Sequence, residues 1–181
     1  TADSLANRTL LFDLRRNDWS ERLLAWSRID PSKLAPVRPG GTVAGFAGEN
    51  DLGIPKGAAV VVGGHDQCCN ALGAGAIAAG RAVCGIGTFE CITPVFDSVP
   101  PLHKMLASGL NVEHHVLPGL YVSFLYNQSG MLVKWFADTF AAAECERHTS
   151  RELYDLLARE MPADVTPLIV LPCFEGTGTP H

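Results

Sequence analysis

Short apolar runs set off by glycine and proline, rather than long amphipathic stretches, give this chain its pattern. The pattern is clearest between Ala58 and Phe96. Ala58–Val62 is too short for a helix and rich in valine, which predicts a buried strand. Gly63, Gly64, His65 and Asp66 follow, and then small and apolar residues run without a proline from Gln67 to Ala79, which predicts a helix. Gly73 and Gly75 inside it would each cost ~1 kcal/mol relative to alanine. Ala71, Gly75 and Ala79 fall one turn apart and would leave a bare face for close packing. Arg81 to Gly85 and Phe89 to Phe96 then read as two strands joined by the tight turn Gly85-Ile86-Gly87-Thr88.

The flanks repeat the scheme less cleanly. Thr1 to Arg8 is polar and helix-capable, and leads into the apolar run Thr9 to Leu14. A helix is predicted from Asp18, with Asp18 as N-cap, Glu21 at the capping-box position and Trp19, Leu23, Leu24 and Trp26 on its apolar face. It must end before Pro31. Residues 33–57 are loop-rich, with a short strand at Val43 to Phe46. Beyond Pro100 and Pro101, Leu110 to His115 and Leu120 to Tyr126 flank Pro118-Gly119, a hairpin signal. His114 and His115 would then face opposite ways as exposed polar positions. A helix over 131–144 should bury Leu132, Trp135, Phe136, Thr139 and Phe140. A second helix is expected from about Ser150, its cap, to Glu160, followed by a strand from Leu168 to Leu171.

Composition narrows the classes. The chain has 181 residues, is 47% hydrophobic and only 18% charged, and carries a net charge of −5. That is a packed globular protein and not a disordered tail. No basic run points to nucleic acid. No apolar run reaches the ~20 residues of a membrane span, and no signal peptide opens the chain. A start at Thr1 without methionine reads as a piece of something longer. The six cysteines are adjacent (Cys68, Cys69) or scattered singly (Cys84, Cys91, Cys145, Cys173), not at metal-ligand spacing. Free thiols and a reducing, cytoplasmic compartment follow.

The candidate chemistry sits at two turns. Asp66 stands where a strand gives way to a helix, the place where open α/β sheets bind ligands. An aspartate there is also a common helix cap. Gly87-Thr88 would present backbone N–H groups and a hydroxyl with no bulky side chain in the way, which suits a phosphate. It is equally the turn of an ordinary hairpin.

The ordered combination is more specific. Strand, Gly-His-Asp-Gln, small-residue helix, strand and Gly-x-Gly-Thr resembles the central segment of the FGGY family of carbohydrate kinases. The resemblance extends upstream through Thr1, Asp3, Ala6, Arg8, Thr9, Asp18, Trp19, Leu34, Gly53, Ile54, Pro55 and Gly57. Downstream it continues through Gly130 and Trp135 to Leu171, Pro172, Gly176, Pro180 and His181. It implies an α/β chain with the actin-like ATPase (ribonuclease H-like) fold, holding parts of two domains. Residues 1–80 would close the first domain and 81–181 open the second, with the boundary near Gly80.

The implied activity is ATP- and Mg²⁺-dependent phosphorylation of a sugar or polyol. Asp66 would be the catalytic base. Gln67 and His65 would join Asp66 in binding the substrate, with His65 equally readable as a plain turn residue. Gly87 and Thr88 would contact the ATP phosphates, and Gly130 would lie by the nucleotide. Lys134 stands where glycerol kinases carry a nucleotide-contacting glutamine. The family's N-terminal phosphate loop and C-terminal adenine loop are absent, so the segment alone should not turn over. The implied partner is a small sugar or polyol, without nucleic acid or membrane, and a homo-oligomer stays open. A non-catalytic sugar- or nucleotide-binding member, or another actin-like ATPase, is the alternative.

Overall fold

Alternating short strands and helices fold as an α/β chain, and the computed structural model describes residues 1–169. By contact, the chain parts into two units. The first comprises Thr1–Cys84 with Ile92–Phe124, and the second comprises Gly85–Cys91 with the described residues from Leu125.

In the first unit the helix α1 (Asp3–Ala6) passes through a 3-10 turn into the hairpin β1 (Phe12–Asp13) and β2 (Asp18–Trp19). Pairing of Phe12 with Trp19 draws Asp18 and Trp19 into that hairpin, so the expected cap moves. Helix α2 (Glu21–Ser27) is capped by Ser20, whose hydroxyl accepts from the Leu23 N–H. Only Leu24 of its predicted face is buried; Trp26 is exposed. The helix stops at Arg28, which adopts a left-handed conformation (φ 55°) two residues ahead of Asp30-Pro31.

Strands β3 (Val43–Phe46) and β4 (Ala59–Val61) form an antiparallel pair. The strand predicted at Ala58–Val62 therefore exists, but it is not buried: Val60 and Val61 are 52% and 50% exposed. Among the described residues β4 pairs with β3 alone, and no second layer covers its apolar side chains. Helix α3 (Asp66–Gly73) follows and ends sooner than expected. Gly75 adopts φ +79°, outside right-handed helical space, so it terminates the helix instead of packing within it. Ala71 alone of the proposed small-residue face is buried in α3.

Strands β5 (Ala82–Ile86) and β6 (Phe89–Phe96) form the expected hairpin. The helix α4 (Leu102–Ala107) begins straight after Pro101 and carried no clear signal, being short and mixed in character. Strands β7 (Glu113–His114) and β8 (Tyr121–Val122) pair across the Pro118-Gly119 turn, and β8 pairs in turn with β6. The unit's core gathers Ala2, Ser4, Ala6, Cys68, Ala71, Val95, Val122 and Phe124.

His114 and His115 correct the reading of this hairpin, because both are buried. His114 packs on Phe12 and Tyr121, with Nε2 3.0 Å from the Leu14 carbonyl. His115 Nδ1 accepts from the Leu117 N–H at 2.9 Å, and its buried Nε2 has no hydrogen-bond partner of ordinary geometry. Burial pushes the His115 pKa below its ordinary 6.5, opposed only in part by the Ala76 backbone. Below pH 6.5 the unfolded chain therefore takes up a proton that the native imidazole resists, and stability falls with pH. Thermal melts between pH 8 and 5 should show this loss, with a shallower slope in His115→Gln. Equal slopes would remove His115 from the account.

In the second unit, β9 (Leu125–Gln128), a further partner of β6, leads into α5 (Gly130–Phe140), α6 (Ala142–Arg147) and α7 (Ser150–Glu160). The predicted single helix over 131–144 is broken at Ala141. Its buried face is also different: Ala137, Ala141 and Leu153 form the core with Cys145 and Leu157 against them. Trp135, Phe136 and Phe140 stay exposed along α5, with Trp135 edge-on to Phe140 and Phe136 tilted against it. The α7 cap is Thr149, one residue before the predicted Ser150, in a reciprocal capping box with Glu152.

Leu168 and Ile169 are exposed and not in a strand, and the rest of that predicted strand lies outside the described residues. So do Leu171, Pro172, Gly176, Pro180, His181 and Cys173. Cys68, Cys69 and Cys145 are free thiols. No helix of the described residues is long and apolar enough to cross a membrane.

Candidate active site

The β4–α3 junction is shaped by close packing. A Cβ on Gly64 would fall 2.3 Å from Val116 Cγ1 and 3.3 Å from both Cys69 Sγ and Ser4 Oγ, so only glycine fits. The next residue, His65, donates its backbone N–H to Ser4 Oγ at 3.2 Å and occupies the N-cap position of α3 without a side-chain capping bond. Asp66 is thus the first residue of the helix and not its cap. An acidic group in that turn also suits the helix dipole.

The Asp66 carboxylate is 85% exposed and anchored through one oxygen. Oδ1 accepts from the Gln67 backbone N–H at 2.7 Å and lies 3.1 Å from His65 Nε2. Oδ2 has no partner among the described residues. A carboxylate oxygen turned to solvent at the end of a strand can accept a proton from a docked hydroxyl. His65, Asp66 and Gln67 therefore stand together, as their adjacency requires.

Beneath them lies a polar cluster that the sequence did not announce. Glu113 is buried and paired with Arg8 at 2.6 Å, and Oε1 also accepts from Asn111 Nδ2 at 2.7 Å. Asn111 Oδ1 in turn accepts the Phe124 backbone N–H at 2.9 Å. The Arg8 guanidinium sits 5.9 Å from the Phe124 ring centre, a cation–π distance. Cys68, next to this cluster, has its thiol pushed up to about 12 by burial, with Glu113 adding to the shift. It is inert as a nucleophile at neutral pH. The only signal for Glu113 was a lone acid within a strand-like run.

In the second unit the structure brings together the three residues read as a nucleotide site. The first turn of α5 sits on the Gly87-Thr88 turn. Gly130 N–H donates to the Gly87 carbonyl at 2.9 Å, while Met131 and Ser129 N–H groups donate to the Thr88 carbonyl at 3.2 and 3.4 Å. A Cβ on Gly130 would meet the Gly87 oxygen at 2.6 Å. Gly130 is therefore glycine for close approach, and its N–H is already taken. The Thr88 side chain is exposed, and its hydroxyl forms no bond among the described residues. Lys134 is bound along its own helix to Asp138 at 2.6 Å. That partner holds its ammonium above the usual lysine range.

No family model matches the chain. It is 32% identical over 148 residues to the autoinducer-2 kinase of Enterobacter sp. strain 638, covering 78% of this chain and 27% of that protein. With the autoinducer-2 kinase of Escherichia coli strain K12 it shares 31% over 178 residues, 91% of this chain and 31% of the relative. Its backbone matches the crystal structure of xylulose kinase from Rhodospirillum rubrum with a TM-score of 0.78 at 26% identity, over 97% of this chain and 36% of that one. These likenesses support reading the chain as a segment of an FGGY carbohydrate kinase. The fold is accordingly the actin-like ATPase fold of these FGGY enzymes. The chain spans about a third of the length of the FGGY relatives it matches.

Proposed function

We propose that the kinase carrying this chain transfers the γ-phosphoryl group of ATP to a hydroxyl of a small sugar or polyol. The observation that carries the reading is the Asp66 carboxylate, fixed through Oδ1 with Oδ2 turned to solvent. Oδ2 would accept the hydroxyl proton as that oxygen bonds to the γ-phosphorus and the bond to the leaving ADP breaks with its electron pair. Such general-base action contributes about 10²–10⁴-fold. Gln67 and His65 border the hydroxyl's position. Thr88 would donate its hydroxyl to a phosphate oxygen, on a turn that Gly87 and Gly130 hold in shape. Positioning and electrostatics of this sort supply most of the catalysis of phosphoryl transfer.

Mg²⁺ characteristically keeps several waters and binds through substrate phosphates and one or two carboxylates. The described residues hold no cluster of three or more His, Cys, Asp or Glu that would cage an ion. The ion would enter with ATP, and no step here is routed through it. We place the enzyme in the cytoplasm, supported by the free thiols of Cys68, Cys69 and Cys145. Residues 1–80 are assigned to the close of the first FGGY domain and 81–181 to the opening of the second. Full-length enzyme incubated with ATP, Mg²⁺ and a panel of ketoses and polyols should form ADP only when the acceptor is present. Tight sugar or ATP binding with no turnover on any acceptor would favour a non-catalytic member instead.

A further inference from the structure

Helix α3 starts without a side-chain cap of its own. In a capping box the third residue of a helix reaches back to the backbone N–H of the N-cap. Here that third residue is Cys68, whose thiol instead donates to the His114 carbonyl at 3.6 Å. The N-cap N–H, that of His65, is taken by Ser4 Oγ at 3.2 Å, from a position 61 residues away. Ser4 is fully buried, and so are Ala2 and Ala6 of the same segment. Its own N–H donates to Asp3 Oδ1 at 2.7 Å. A Cβ on Gly64 would come within 3.3 Å of the Ser4 hydroxyl, so that oxygen rests on the glycine ahead of the N-cap. It therefore touches the chain at Gly64 and bonds it at His65, one residue before Asp66.

A reacting carboxylate has to be held within ~0.5 Å of its productive place. Asp66 gains little of that from packing, because its side chain is 85% exposed. Its place is set by the backbone at the start of α3, and helix ends fray where nothing holds them. We propose that Ser4 is a positioning residue, whose hydroxyl fixes the first turn of α3 and with it the point from which Asp66 meets the substrate hydroxyl. The proposal rests on Asp66 being the base. Ser4 passes no proton and, being buried, touches no substrate. It acts only through the backbone of His65.

The test uses the full-length kinase. Ser4→Ala removes the acceptor and adds no bulk. Its kcat is expected to fall about 10- to 100-fold, because misplacing a reacting group by ~1 Å costs up to ~100-fold. Sugar and ATP KM should stay near wild type. Hydrogen exchange followed by mass spectrometry should quicken in the peptide over 63–69 and stay unchanged in α7. Leu24→Ala is the control for lost stability alone, since it empties a buried position of α2 in the same unit. It should lower the melting temperature and keep kcat near wild type. Asp66→Asn tests the base separately.

Wild-type kcat in Ser4→Ala, a loss confined to KM, unchanged exchange over 63–69, or an equal fall of kcat in Leu24→Ala would each overturn the proposal. Should Ser4→Ala fail to fold, Ser4→Cys keeps the size of the side chain and offers only a weak sulfur acceptor. The same readings then apply to it. If Asp66→Asn retains activity, the base assignment falls and the positioning role with it. If Asp66→Asn is inactive while Ser4→Ala turns over normally, the positioning role alone is wrong.

Discussion

Asp66→Asn in the full-length kinase is expected to lower kcat by about 10²–10⁴-fold. Asparagine preserves the size of the side chain and an oxygen that can accept the Gln67 N–H. It removes the one property the reaction needs, the ability to take a proton at neutral pH. Binding of ATP and sugar, measured by calorimetry, should change far less than kcat, since the lost interaction belongs to the transition state. A purely structural Asp66 makes the opposite forecast. The carboxylate is exposed, the cap position belongs to His65, and the remaining role is an acidic group in the first helical turn. Losing that would alter stability slightly and leave turnover intact. Near-normal kcat in the asparagine variant therefore removes Asp66 from the mechanism.

The second large effect is expected at Gly130. Alanine is ordinarily better than glycine in a helix by ~1 kcal/mol, so propensity alone predicts that Gly130→Ala stabilises α5. The structure predicts the reverse. The new Cβ would lie 2.6 Å from the Gly87 oxygen and 3.3 Å from the Gly87 carbonyl carbon, and both are backbone atoms that cannot swing aside. Either α5 or the Gly87-Thr88 turn has to move, and overpacking of this kind costs about 1–3 kcal/mol. Displacing the turn also shifts the Thr88 hydroxyl. The KM for ATP is expected to rise about tenfold, equivalent to a hydrogen bond's worth of binding energy. Sugar KM should stay the same, and the melting temperature should fall. Thr88→Ala should raise the ATP KM without the loss of stability, because its side chain is exposed. Unchanged stability in Gly130→Ala would show that the close approach to Gly87 is not what requires glycine there.

Local chemistry along the chain was enough to place most elements. Residues Val43–Phe46 and Phe89–Phe96 became strands with the expected ends, and Ser150–Glu160 became a helix, because apolar runs bounded by glycine, proline and caps are decided by near neighbours. The same local order put Asp66 between a strand and a helix and Thr88 in a glycine turn, and it carried the family resemblance. Some local competitions were closer. Asp18 and Ser20 are both good caps, and the pairing of Phe12 with Trp19 selected Ser20. Gly75 could have continued α3 at a cost, but its positive φ ended it.

Burial was a different matter. His114 and His115 read as surface residues and are buried, while Val60, Val61, Phe136 and Phe140 read as core and are exposed. The contacts responsible span most of the chain: Arg8 meets Glu113 across 105 positions, and His114 meets Leu14 across 100. Periodicity reports which side of an element is apolar, but not whether anything arrives to cover it. The role of Gly130 likewise waited on the fold. The distance between two glycine backbones is fixed by packing from other elements, and single positions in a sequence carry no trace of it.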